Sequence, residues 1–344
     1  MRVNVIMGGP SAEFDISILT GIEMCRHLMG GPHDVRAVVV TADRELCYTD
    51  IETALPPHTA FADPCGTDIF EGPFLPWSSG AIWEGCEVAL LGVHGSFGED
   101  GCLQGYLETI GIPYTGSGVF ASSMALNKIA TKHLLECSGV TTPPYSVYGT
   151  GHETTLDDLV RTHGFPCFAK CPQSGSSKLM GRADSRESLE ALLAELSRES
   201  AHVLVESAIT GVELSCPVLE YPDGTVRALP PVEIRPVGSS FFDYTAKYTD
   251  GACEEIVPAP QPEELLEKVR RTALRVHGIL ECSGVSRTDM ICTDTDVYVL
   301  EINTLPGFTT ASLVPKSYAA DGGSYEELLE LLIQGALRRH EARR

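Results

Sequence analysis

Short apolar runs at 3–7, 35–40 and 88–93 alternate with longer stretches of helical spacing at 15–29 and 102–110. Runs of five or six apolar residues read as buried strands, and the intervening pattern as helices. Strands alternating with helices predict a parallel sheet covered by helices. In such sheets ligands collect at the carboxyl ends of the strands. Two polar, glycine-rich turns fall at such ends: Gly8-Gly9-Pro10-Ser11-Ala12-Glu13 and His94-Gly95-Ser96-Phe97-Gly98-Glu99-Asp100-Gly101. The stretch 55–79 is rich in Pro, Asp and Thr and predicts mostly loop.

The Gly/Pro-rich segment 111–118 interrupts this pattern and marks a first boundary. Helices are predicted over 119–127 and 129–138. A smaller unit follows, with strands at 145–148, 167–170 and 203–206 and helices at 156–163 and 186–197. This predicts a compact α+β unit, ending at Ala208-Ile209-Thr210-Gly211. Strands at 213–219 and 232–235, an aromatic loop at 238–254 and an amphipathic helix over 262–281 begin the last part. A final helix over 325–339 carries Leu328, Leu329, Leu332, Ile333 and Leu337 as a stripe that predicts core packing. The predicted division is 1–118, 119–210 and 211–344.

Residues 287–303 read as two strands joined by a Thr/Asp turn around 293–296. Alternation puts Arg287 and Asp289 on one face, and Glu301 and Asn303 on one face. Tyr298, Leu300 and Ile302 would then form the core side. A hairpin loop of three or five residues sets Asp289 opposite Glu301, and Arg287 opposite Asn303. Opposed carboxylates repel, so a cation is expected there, and a hard divalent ion fits oxygen donors. The alternative is a solvated hairpin with scattered charges. Next comes Thr304-Leu305-Pro306-Gly307-Phe308, a turn, followed by the hydroxyls of Thr309, Thr310 and Ser312. Such a segment can handle transferred phosphoryl groups.

Composition narrows the classes. The 344 residues are 43% hydrophobic, enough for two or three packed domains. A formal charge of −22 without a basic stripe argues against a nucleic-acid partner. No apolar run approaches the ~18 residues that span a bilayer, and the five residues from Val3 to Met7 before Gly8 are too few for a signal peptide. The 12 cysteines are scattered without a Cys-x-x-Cys pair, as expected of reduced thiols in a cytoplasmic protein. The 10 histidines form no His-Glu-x-x-His pattern.

Single residues remain ambiguous by themselves. The Glu13 turn lacks Gly-x-Gly-x-x-Gly spacing and would point a carboxylate at a pyrophosphate, which excludes NAD(P). Glu13 suits an ammonium group, or merely a helix start. No Walker pattern occurs. Ser174-Gly175-Ser176-Ser177 after Lys170 is either a phosphate cradle with a point charge beside it or a plain connector. Lys128 lies between two helices, where solvation is the common fate. Glu206 and Glu213 flank the second boundary and could reach an adenine amine and ribose hydroxyls, or be surface acids. The loop Phe241-Phe242-Asp243-Tyr244-Thr245-Ala246-Lys247-Tyr248 has the composition of a cover or of an anchored loop.

Taken together, these motifs match a family in order and over nearly the whole chain. Gly8-Gly9-x-Ser11-Ala12-Glu13, His94-Gly95-x-x-Gly98-Glu99-Asp100-Gly101, Pro113-Tyr114-Thr115-Gly116-Ser117-Gly118, Gly175-Ser176-Ser177, Asp243-Tyr244-x-Ala246-Lys247-Tyr248, Arg287-x-Asp289 and Glu301-Ile302-Asn303-Thr304-x-Pro306-Gly307-Phe308-Thr309 resemble the D-alanine–D-alanine ligases of the ATP-grasp superfamily. The resemblance implies an α/β and α+β, three-domain ATP-grasp architecture with an N-terminal parallel α/β sheet domain. It implies ATP-dependent joining of two D-alanines through an acyl phosphate, for peptidoglycan precursors, in a cytoplasmic homodimer. Asp289, Glu301 and Asn303 would hold two Mg²⁺ ions, with Mn²⁺ as a substitute. Lys128, Lys170 and Lys247 would approach the ATP phosphates, and Glu206 and Glu213 the adenosine. Glu13 would bind the first ammonium group and connect to Ser176 and Tyr248, with His94 beside it. Arg287 and the Gly307 N–H would stabilise the oxyanion. Ser312 and the Leu313 N–H would take the second carboxylate. The Gly/Ser loop and the Lys247-Tyr248 loop would close as lids.

The chain departs from the family pattern at Cys171-Pro172, at Lys178-Leu179 after Ser177, and at Phe14-Asp15 after Glu13. Tyr248 favours an amine as second nucleophile, without saying which. The other readings are a non-catalytic nucleotide-binding protein, and an ATP-grasp ligase joining D-alanine to another D-amino acid such as D-serine or acting in specialised metabolism.

Overall fold

The computed structural model describes residues 1–41, 43, 45–49, 74–77, 79–173, 175, 179–236 and 253–343. The early apolar runs form the expected parallel core. β1 (Arg2–Gly8) lies between β2 (Asp34–Val40) and β5 (Val88–Leu91), parallel to both. β3 (Leu46–Thr49) and β4 (Phe74–Leu75) extend the sheet in the antiparallel sense beyond β2, in the order β4-β3-β2-β1-β5. The apolar pattern does not predict these two short strands. α1 (Phe14–Leu28) buries Phe14, Ile18, Ile22 and Leu28, and α2 (Cys102–Ile110) buries Leu103 and Leu107. Gly8 has φ +82°, and a Cβ there would run into the Val40 carbonyl and the Phe14 ring. Only glycine lets the strand turn so tightly into α1.

α3 (Val119–Leu126) and α4 (Lys128–Cys137) meet at Asn127, whose side chain accepts the Ala130 N–H at 3.2 Å and so starts the second helix. Then come β6 (Tyr145–Gly149), α5 (Leu156–His163), β7 (Cys167–Lys170), β8 (Met180–Ala183), α6 (Arg186–Glu199) and β9 (His202–Ser207). The four strands form an antiparallel sheet, β6-β9-β7-β8. Capping boxes at Thr155/Asp158 and Ser185/Ser188 start the helices. Leu159, Leu189, Leu193 and Leu196 pack against Cys167, Ala169, Val203 and Val205, alternate positions of two strands.

The last sheet is antiparallel. β10 (Val212–Glu220) pairs with β11 (Val226–Ala228), β12 (Val232–Pro236) and β14 (Val285–Cys292). β13 (Cys253–Ile256) lies outside β12, and β15 (Val297–Asn303) outside β14. α7 (Glu263–Ile279) buries Leu266, Val269, Ala273 and Val276 against this sheet. α8 (Leu313–Ala320) and α9 (Tyr325–Ala342) follow. The α9 stripe is buried as its spacing predicts, in a core shared with Val3, Val5 and Met7 of β1. The chain's end therefore closes onto its first sheet.

One sequence expectation needs correction. The β14–β15 turn has four residues, Thr293 to Asp296, rather than three or five. The expected register survives because the ladder slips between Asp289 and Met290. Met290 faces Val299, yet Asp289 faces Glu301 and Arg287 faces Asn303. Leu300 is the extra residue of this β-bulge. It moves the core positions of β15 to Val299 and Ile302, so Tyr298, Leu300 and Ile302 do not form one core face.

Polar struts tie the units together. The His94 ring donates from Nδ1 to the Leu305 carbonyl at 3.0 Å and pairs through Nε2 with the Thr20 hydroxyl at 2.9 Å. His277 on α7 pairs with Ser286 on β14 at 2.8 Å. The Glu220 carboxylate meets Arg338 and Arg339 of α9 and the Gly284 N–H, while Arg339 also donates to the Tyr114 and Gly116 carbonyls. Removing one member of such a buried set strands the others. Arg339→Met is expected to lower unfolding free energy by about 3 kcal/mol, read as an earlier urea midpoint.

Burial pushes His94 and His277 down to about 4. Both rings are neutral when folded, so the unfolded chain binds more protons as pH drops below its ordinary value of 6.5. The stability they confer is complete above that value and is lost toward pH 4, by roughly 3 kcal/mol per ring. Urea unfolding between those limits should show this slope, and His94→Gln should reduce it. A slope unchanged in the variant would contradict the assignment.

Candidate active site

The hairpin supplies the centre of the site. Asp289 is 7% exposed and receives Arg287 Nε at 2.9 Å and Nη2 at 2.8 Å, Ser215 Oγ at 2.5 Å and Asn303 Nδ2 at 3.1 Å. These four donors fill the four lone-pair positions of a carboxylate. Ser215 enters from β10, where it pairs in register with Asp289. Glu301, directly across from Asp289, forms an ion pair with Lys128 at 3.2 Å. Two opposed carboxylates are thus each matched by a cation. Burial alone would lower the Arg287 pKa, but Asp289, Glu301 and Glu99 outweigh it and hold the guanidinium charged.

The first sheet brings its two turns to this face. Ser11 donates to the His94 carbonyl at 2.9 Å and accepts the Glu13 N–H at 3.1 Å. Gly95 has φ +72°, and a Cβ there would lie 2.5 Å from Glu13 Oε2. The glycine is required because the carboxylate occupies that space. The Gly95 N–H donates to Glu99 at 2.8 Å. Burial first, and then the Glu13 charge, push Glu99 well above the usual carboxylate range. A Cβ on Gly175 of the Gly/Ser loop would lie 2.9 Å from the same Glu13 oxygen, so Gly175 comes up against the first turn. That loop is the tip of the β7–β8 hairpin, closed by Cys171 N–H to the Leu179 carbonyl at 2.9 Å.

Lys170 ends β7, and its ammonium pairs with Glu206 on β9. Lys132 of α4 pairs with the other Glu206 oxygen. Burial raises the Glu206 pKa, but Lys170 and Lys132 more than reverse this and leave it below the usual range. Glu213 sits half-buried at the start of β10, opposite Ile234 and Ile291. Beyond the hairpin, Ser312 accepts the Thr309 N–H at 3.1 Å and pairs with its hydroxyl at 2.8 Å, close beneath Gly307. Leu313 begins α8, and no i−4 carbonyl of the helix takes its N–H.

The structure therefore brings together Glu13, His94, Lys128, Arg287, Asp289, Glu301 and Asn303, and places Lys170 with Glu206 and Gly307 with Ser312. His94 is 6% exposed and uses both ring nitrogens as a strut. Ser176, Lys247 and Tyr248 lie outside the described residues, as does most of the 238–254 loop. Sequence reasoning gave no role to Ser215, Lys132 or Glu99. For Lys132 a signal existed: it shares the buried face of α4 with Thr131 and Leu135, where a lysine demands a carboxylate.

Asp289, Glu301 and Asn303 form an oxygen-rich set suited to a hard cation. Among the described residues no group of three or more His, Cys, Asp and Glu could hold a metal ion; the third donor of this set is an amide. Rotation of the Asn303 amide would bring its oxygen, in place of its NH₂, to the Asp289 side and free one Asp289 lone pair. With that rotation, and with Glu301 exchanging the Lys128 ammonium for the ion, the residues fit Mg²⁺.

Two family models cover most of the chain, "D-ala D-ala ligase N-terminus" over residues 2–117 and "D-ala D-ala ligase C-terminus" over 134–334. A D-alanine–D-alanine ligase of Leptospira interrogans is 37% identical over 98% of this chain and 99% of its own. One of Mycobacterium bovis is 37% identical over 98% and 96%. The Bacillus anthracis ligase solved with ATP superposes with a TM-score of 0.77, at 29% identity over 100% of both chains. The D-Ala:D-Ser ligase of Enterococcus faecalis gives 0.81, at 25% identity over 98% and 99%. With both family models matched in order and identity above a third along nearly its full length, this chain belongs to the D-alanine–D-alanine ligase family.

Proposed function

We propose that this protein joins two D-alanines to D-alanyl-D-alanine with cleavage of ATP to ADP and phosphate, in the cytoplasm, for peptidoglycan precursors. The observation that carries the reading is the pairing of Asp289 with Arg287 and of Glu301 with Lys128 on one face, beside the Glu13 turn. A carboxylate is a poor electrophile because its leaving group would be an oxide. Attack of one D-alanine carboxylate oxygen on the γ-phosphorus releases ADP and makes an acyl phosphate. The amine of the second D-alanine adds to the acyl carbon. The tetrahedral intermediate expels phosphate, and the nitrogen loses a proton to give the amide.

The residues divide this work by charge. Glu13 takes the first ammonium group; Glu99, held protonated beside it, adds no second negative charge there. Arg287 and the Gly307 N–H face the developing oxyanion. Ser312 and the Leu313 N–H, at a helix start, take the second carboxylate. Lys128 and Lys170, with Lys247, bind the phosphates, and Glu206 and Glu213 hold the adenosine. Ser176 and Tyr248 connect to Glu13. Asp289, Glu301 and Asn303 would hold two Mg²⁺ ions, which when bound neutralise phosphate charge. A homodimer belongs to the same reading.

The test is a panel of D-amino and D-hydroxy acids with ATP, read by mass spectrometry. D-alanine should give ADP and D-alanyl-D-alanine. Mixed product with D-serine would favour the alternative that the Enterococcus likeness raises. ADP without dipeptide from any acid would overturn the ligase reading. Glu301→Gln should lower kcat about 100-fold or more, since it removes one of two opposed carboxylates from the cation site.

A further inference from the structure

Among the described residues, Lys132 is the least exposed lysine of the site, at 1%. It does not face the Asp289 pocket. Its ammonium pairs with Glu206 Oε1, lies 3.5 Å from the Pro143 carbonyl and sits 5.2 Å from the centre of the Tyr145 ring. Lys170 pairs with Glu206 Oε2. The side chains of Lys132, Lys170 and Glu206 are 1%, 9% and 4% exposed. Two buried cations thus share one buried anion, and the group carries one surplus positive charge.

That arrangement is costly unless the surplus serves a purpose. Burial lowers the Lys132 pKa, and Glu206 only partly offsets this. The two lysines are not equivalent. Lys132 projects from the middle of α4 into the sheet, beneath Pro143 and Tyr145. Lys170 is the last residue of β7, next to the Gly/Ser hairpin tip. Only Lys170 can swing toward a ligand at that tip without abandoning a core position.

We propose that Lys132 is the standing counter-ion of Glu206, so that Lys170 is free to carry its charge to an incoming polyphosphate. Lys132 is then a positioning residue that sets nucleotide affinity without touching the nucleotide. This rests on the reading of the site as an ATP site. Without Lys132, Lys170 and Glu206 form a neutral buried pair, and a phosphate must break that pair to recruit Lys170.

The experiment is calorimetric titration with ATP and with inorganic tripolyphosphate. Lys132→Met should weaken ATP binding about 10- to 100-fold and raise KM for ATP without a matching rise in KM for D-alanine. Lys132→Arg should restore most of the affinity. A generally damaged core would raise both KM values. Should Lys132→Met fail to fold, Lys132→Gln takes its place in every arm, and Glu206→Gln supplies a second measurement. In that background the anion is gone, so Lys132→Met should leave tripolyphosphate affinity within about threefold of Glu206→Gln alone. Wild-type ATP affinity in folded Lys132→Met, or a tenfold further loss in the Glu206→Gln background, would overturn the inference while leaving the ligase reading intact. A wild-type protein that binds no ATP would overturn both.

Discussion

The constraint on which the structure turns is the neutralisation of buried carboxylates in a strongly acidic chain. Asp289 is held by Arg287, Glu301 by Lys128, Glu206 by Lys132 and Lys170, and Glu220 by Arg338 and Arg339. With 25 Lys and Arg against 47 Asp and Glu, cations are scarce, and six placed beside interior acids would be a poor use of them for solubility. Desolvation consumes much of the Coulombic gain of such pairs, so they contribute less to net stability than apolar residues of the same size. What they do supply is geometry. Three of the four sets join elements far apart in the chain: α4 to β15, α4 and β7 to β9, and α9 to β10. The fourth lies within β14 and fixes the rotamer of Asp289.

This geometry depends on one irregularity. In an unbroken strand Val299 and Glu301 would share a face, and Val299 is fully buried. The bulge at Leu300 reverses the parity, so Val299 and Ile302 serve the core while Glu301 turns to meet Asp289. A catalytic face and a hydrophobic face are thereby cut from a single short hairpin. Bulges at functional sites commonly serve to re-aim a side chain.

Much of this was legible in the sequence, for identifiable reasons. The parallel centre of the first sheet was, because β1, β2 and β5 are short, mostly apolar runs separated by helical spacing. The α9 stripe was, because five apolar residues fall at helical spacing. The facing of Asp289 and Glu301 was legible, though by an argument that assumed an odd turn and missed the bulge. β3, β4, β8 and β11 were not: each has two to four residues and takes its place only from a neighbouring strand. Lys132 was legible only as a lysine on a buried helix face; its pairing with Glu206 was not, because that partner lies far along the chain and local pattern carries no pairing information. His94 was expected beside the first substrate; what sequence could not show is that its ring nitrogens bond Thr20 and Leu305. A histidine in a motif does not disclose whether it faces a ligand or braces the turn that does.

These pairs also determine how the site can respond to a ligand. Among the described residues, Lys128, Lys170, Glu206, Arg287, Asp289 and Glu301 are already matched in the protein, so an arriving polyphosphate or divalent ion exchanges partners with them rather than meeting bare charge. The donors are oriented beforehand, and reorganisation is confined to a few side chains. Lys128 shows the consequence. It starts α4, its N–H reaches the Pro172 carbonyl at the base of the Gly/Ser hairpin, and its ammonium reaches Glu301 on the far hairpin. Displacement of that ammonium from Glu301 by an ion would release it for phosphate, and its capture by phosphate would expose Glu301 to an ion. By linkage the two bindings must then favour one another. The same residue thus links Pro172, just past β7, to Glu301 of β15, so charge exchange at the site is tied to that link.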